Sequence, residues 1–85
     1  MKYFFYIEDE YASEFDCDFI RDTNEFWIDA EVRNFCKHLY YERDGWEWMK
    51  DSSERIVVID ENANARYFAF ELEFEPAFFV TEVSK

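Results

Sequence analysis

Residues 67–75 read Tyr67-Phe68-Ala69-Phe70-Glu71-Leu72-Glu73-Phe74-Glu75, the clearest alternation in the chain. Successive side chains of a strand point to opposite faces, so Phe68, Phe70, Leu72 and Phe74 form a dry face and Tyr67, Ala69, Glu71, Glu73 and Glu75 a partly acidic one. Such a sheet needs a cover on one side and water on the other. The stretch therefore asks for a helical layer over an antiparallel sheet, and its neighbours supply both parts. Downstream, Pro76 has no N–H to give a ladder and breaks or bends the edge, and Ala77–Val83 (AFFVTEV) is the last strand. Upstream, Glu61-Asn62-Ala63-Asn64 is a turn after the β-branched run Arg55–Asp60 (RIVVID), which reads as a buried strand.

The cover is encoded between Asp22 and Gly45. Ile28, Val32, Phe35, Cys36 and Leu39 recur at helical spacing and make one apolar stripe. Glu25, Asp29, Arg33 and Lys37 run along another, solvated face, with Asp29 placed ahead of Arg33 for an ion pair. Asp22-Thr23-Asn24-Glu25 has the form of a capping box, with Asp22 as its N-cap. Asp44-Gly45 is the stop, with Gly45 taking the left-handed conformation beyond the last turn. Before the helix, Phe15–Ile20 alternates Phe15, Cys17 and Phe19 against Glu14, Asp16 and Asp18 and reads as a second strand, beside a first over Lys2–Glu8 (KYFFYIE). The expected architecture is one α+β domain over residues 1–85, with one main helix packed on a four- or five-stranded antiparallel sheet.

Composition bounds the function. The chain has 85 residues, of which 24% are aromatic, with one Gly and one Pro, a mixture that excludes a disordered or low-complexity chain. Nine Lys and Arg against 21 Asp and Glu leave a net charge of −12. Direct binding of nucleic acid or of an anionic membrane is thereby disfavoured, since both need clustered cations. The apolar residues after Met1 run straight into Glu8, Asp9 and Glu10 with no small-residue cleavage site, so they read as a strand rather than a signal peptide. Cys17 and Cys36 form no CxxC pair and read as reduced core thiols. The expected compartment is the cytoplasm.

No enzyme motif is present. The serines Ser13, Ser52, Ser53 and Ser84 sit in no nucleophile-elbow context, and one Gly cannot build a phosphate loop. His38 stands one turn before Glu42 but lacks further ligands at metal-site spacing, so it reads as an ordinary helix side chain. The expectation is a protein that is not an enzyme and uses no cofactor.

Acids and aromatics instead nominate a binding surface. Residues 8–31 contain Glu8, Asp9, Glu10, Glu14, Asp16, Asp18, Asp22, Glu25, Asp29 and Glu31 against a single base, Arg21. On one strand face, Glu14, Asp16 and Asp18 would stand roughly 6.6 Å apart, a row that repels itself and suits a basic partner. Gly45-Trp46-Glu47-Trp48-Met49 places two Trp just past the helix: one ring is expected to plug the gap between helix and sheet, and an exposed one would anchor a partner. The expected partner-binding residues are Glu8, Asp9, Glu10, Glu14, Asp16, Asp18, Asp22, Trp46 and Trp48. Aromatics on both faces of Lys2–Glu8 exceed what one helix can shelter and point to a second apolar patch, for a partner or a second copy.

The segment DGWEWM and the later FELEFEPAFF, centred on Gly45, Trp46, Trp48, Phe70, Glu75, Pro76 and Phe78, resemble a pattern in small proteins of bacteria and their phages. In size, acidity and lack of motifs the chain also resembles the small inhibitors of mobile elements, notably anti-CRISPR proteins and nucleic-acid mimics. The resemblance implies carboxylates in place of phosphates in a cationic groove, such as the DNA site of a CRISPR effector. Two alternatives stay open: an immunity protein or antitoxin capping a basic nuclease, and a structural homodimer whose acids only keep it soluble.

Overall fold

The β-branched run Ile56–Asp60, here β3, takes the centre of a five-stranded sheet of order β2-β1-β3-β4-β5, with every neighbour antiparallel. This computed structural model describes residues 1–8, 19–49, 53–74 and 77–84. The other strands are β1 (Lys2–Ile7), β2 (Ile20–Asp22), β4 (Ala65–Phe74) and β5 (Ala77–Val83). A 3-10 turn over Glu25–Trp27 leads into α1 (Ile28–Glu42), and a single turn, α2 (Gly45–Trp48), follows. The fold is the expected α+β arrangement, one main helix on an antiparallel sheet.

The register sorts side chains by face. Phe5 pairs with Val58, Ile7 with Ile56 and Ile56 with Phe68, all turned toward α1. Against them α1 lays Ile28, Val32, Phe35, Cys36 and Leu39, every one buried, as the stripe requires. Phe5, Phe19 and Phe35 close a ring cluster with centroids 5.1–5.8 Å apart, in tilted or edge-on geometries that suit aromatic quadrupoles. Phe70, Leu72 and Val80 lie at the rim, half-buried. Glu25, Asp29, Arg33 and Lys37 are exposed, while the field of Asp29 reaches Arg66 in the sheet.

Three local expectations are revised. The N-cap is Asn24, whose Oδ1 accepts from the Phe26 N–H at 2.9 Å. Asp22 is instead the last residue of β2, opposite Lys2 of β1, with the N-terminal ammonium 3.0 Å from its Oδ1. The left-handed residue at the end of α1 is Asp44, with φ 55°, and not Gly45. Gly45 is required for close approach, because a Cβ there would run into Met49 Sδ and stand 2.6 Å from Tyr40 Cα. Of the strand expected over Phe15–Ile20, residues 15–18 fall outside the described residues, and Ile20 opens β2, which runs on to Asp22. Phe19 still faces the core, with its carbonyl accepting from Phe5 N–H at 3.1 Å.

The turn after β3 shows why an Asn-rich loop fits there. Asp60 Oδ1 accepts from the N–H groups of Asn62 and Asn64 at 2.8 and 3.0 Å, and Ala63 takes a left-handed φ of 65° to close the turn. These donors, the Asn64 N–H first, hold the Asp60 carboxyl below its ordinary pKa.

Candidate protein-binding surface

Phe26 and Trp27 stand 87% and 62% exposed at the start of α1. Their position follows from the helical period. The buried stripe begins at Ile28, and at 100° per residue Trp27 and Phe26 fall outside it, while the Asn24 cap and the 3-10 turn hold them on a fixed backbone. Asp22, Glu25 and Asp29 surround them in sequence and are all exposed. The corner is tied down by the Thr23 N–H, which donates to the Met1 carbonyl at 2.9 Å, and by Arg21, which lies 3.8 Å over the Phe19 ring and 3.8 Å from Glu31. Large aromatics left in water among carboxylates have the composition of a protein contact, an apolar anchor with a charged rim.

The nominated residues divide. Asp9, Glu10, Glu14, Asp16 and Asp18 lie outside the described residues. Asp22 belongs to the corner just described. Glu8 is engaged within the chain, with Arg55 Nη2 2.9 and 2.6 Å from its two carboxylate oxygens. That pair sits on the sheet face away from α1, with the Arg55 guanidinium 5.4 Å from the centre of the Tyr67 ring. Trp48 is the structural plug: it is half-buried, edge-on to Phe70 at 6.4 Å, and donates its indole N–H to the Arg43 carbonyl at 3.1 Å. Trp46 is 53% exposed beside the far end of α1. Fifteen helical residues span about 22 Å, so Trp46 and the Phe26–Trp27 corner are distinct surfaces. Sequence reasoning passed over Phe26 and Trp27, although their place off the stripe was the signal that finds them.

The second face of the sheet is partly filled. Phe4, Tyr6, Ile59 and Tyr67 are half-buried there and Val57 is fully buried, while Ile20 and Phe79 remain exposed. Apolar exposure on this face is at the two edge strands, Ile20 in β2 and Phe79 in β5.

His38 leans on the rings of Phe19 and Phe35 at 5.4 and 6.3 Å. Among the described residues, no three His, Cys, Asp or Glu side chains gather as a metal would require. Cys36 is a free, buried thiol whose pKa desolvation pushes up to about 12, which leaves it protonated and a poor nucleophile at neutral pH. Cys17 lies outside the described residues. No described helix is long and apolar enough to cross a membrane. No protein-family model, curated protein or solved structure shows a significant match to the chain.

Proposed function

We propose that this is a non-catalytic, acidic binding protein that docks on a basic, nucleic-acid-binding partner and covers the surface where that partner holds phosphate. The observation that carries the reading is the pair Phe26 and Trp27, exposed among Asp22, Glu25 and Asp29 in a chain of net charge −12. Carboxylates steer the encounter with a cationic groove, and the aromatics supply the desolvated contact that charge alone does not give. The resemblance to the small inhibitors of mobile elements supports a defence complex such as a CRISPR effector as the partner, with action in the host cytoplasm. A basic nuclease capped by an immunity protein or antitoxin presents the same chemistry.

The test is competition. A CRISPR effector and a basic nuclease are each titrated with the protein while a labelled DNA duplex reports free DNA sites. The expected result is displacement of DNA from one of them, weakening steeply between 50 and 200 mM salt as on the order of several ion pairs are screened. Phe26→Ala/Trp27→Ala should lose displacement with its melting temperature unchanged. Displacement that survives in this variant would overturn the assignment of the corner, and failure to displace DNA from either target would overturn the reading. Concentration-dependent dimers with no displacement would favour the homodimer.

A further inference from the structure

We infer that the outer edge of β5 receives an extended, basic segment of a partner chain as a sixth strand. β5 closes the sheet order and pairs with β4 on one side, from Tyr67–Val83 to Phe74–Ala77, with no strand on its other side among the described residues. Such an edge presents a row of backbone donors and acceptors to any strand that can pair with it. Proteins usually blunt edges by shortness, Lys, Pro or a covering element. The opposite edge is blunted in this way, since β2 has three residues. β5 has seven, Ala77-Phe78-Phe79-Val80-Thr81-Glu82-Val83, with neither Lys nor Pro among them. Its one charge, Glu82, is held by a two-point contact with Arg66, Nε and Nη2 both 2.8 Å from its carboxylate oxygens. That contact lies on the α1 side of the sheet.

The face turned away from α1 specifies the occupant. Phe79 is 57% exposed there, opposite exposed Glu71 in the β4 register, and a bulge between Leu72 and Phe74 interrupts the alternation just beyond. A strand added beside β5 would lie two strand spacings, about 9.6 Å, from β4. A Lys or Arg stem can lie over the Phe79 ring across that gap and bring its charge toward Glu71. The partner segment therefore alternates, with cationic side chains on the Glu71 face. A second copy fits this edge poorly, because it would add its own −12 and its own Glu71. The inference shares with the proposed function only the basic character of the partner, and it uses a surface separate from the Phe26–Trp27 corner.

The experiment is amide hydrogen exchange and chemical-shift titration of the isotope-labelled protein with three synthetic ten-residue peptides. One alternates Lys and Val, one has the same composition with all lysines in a block, and one alternates Glu and Val. The alternating Lys–Val peptide is expected to protect β5 amides and to bind about tenfold or more tighter than either control, the level at which strand pairing and charge both count. Phe79→Ala and Glu71→Lys should each remove most of that difference, and Phe26→Ala/Trp27→Ala should leave it intact. Equal binding of the block peptide, shifts outside β5 only, or no binding would overturn the proposal, as would β5 protection that grows with protein concentration alone. If the proposed function fails its competition test while β5 still takes the peptide, the edge stands as a site without that function.

Discussion

The alternation over 67–75 treats Phe68 and Phe70 as equals, whereas the packing predicts that their removal differs severalfold. Phe68 is 0% exposed, set between Ile56 of β3 and Glu82 of β5 with the Arg66 guanidinium 5.4 Å from its ring centre. Phe68→Ala leaves a cavity in the middle of the sheet and should cost roughly 3–5 kcal/mol. Phe70 lies at the rim, half-buried between Trp48 at 6.4 Å and Phe78 at 6.2 Å. Water and the Trp48 ring can fill part of the gap left by Phe70→Ala, so that loss should be about 1–2 kcal/mol. A domain of this size has on the order of 4–13 kcal/mol in total. Phe68→Ala therefore removes roughly a quarter or more of it, and at about 4–8 °C per kcal/mol lowers the melting temperature by roughly 12–40 °C. Urea unfolding followed by far-ultraviolet circular dichroism and by Trp fluorescence gives both values, provided the slopes match wild type. Equal losses, or a larger one at Phe70, would refute the placement of the sheet centre under α1.

Other consequences are checked as directly. Cys36 should resist a thiol reagent at pH 8 in the native protein and react on unfolding; because its folded pKa of about 12 lies above the unfolded value, its contribution to stability is complete below roughly pH 8.5 and is lost as pH rises through the folded pKa. Native labelling at the rate of a free thiol would remove it from the core. Asp60 shifts the other way: the Asn64 and Asn62 donors lower its pKa, so its contribution is present above the unfolded carboxyl pKa and is lost as pH falls through the folded one. A carbon-detected carboxyl titration should place it below an ordinary Asp, and Asn64→Ala should move it back up. Gly45→Ala should destabilise by roughly 1–3 kcal/mol despite the better helix propensity of Ala, because the new methyl meets Tyr40 backbone; a gain in stability would show that Gly45 is not a contact glycine.

Periodicity carried the architecture, because burial of a stripe or a face depends on spacing along a few consecutive residues. Ile28 to Leu39 at helical intervals and Phe68 to Leu72 at strand intervals determined that a helix covers one face of a sheet, and Arg55–Asp60 was legible as a buried strand from its β-branched side chains. The dense carboxylates and the lack of nucleophile or phosphate motifs were equally plain. What depends on distant residues was not legible. Asn24 replaces Asp22 as the cap because Asp22 is taken into the β1–β2 ladder opposite Lys2, 20 residues away in sequence. Gly45 is needed for contact with Tyr40 and Met49, which no local rule for helix ends contains. Glu8 is occupied by Arg55, 47 residues on. Phe26 and Trp27 are exposed because the buried stripe of the helix starts only at Ile28. Strand order was the other late decision: β5 lies at an edge because β3 pairs with both β1 and β4, a choice among long-range ladders that local alternation permits but does not make.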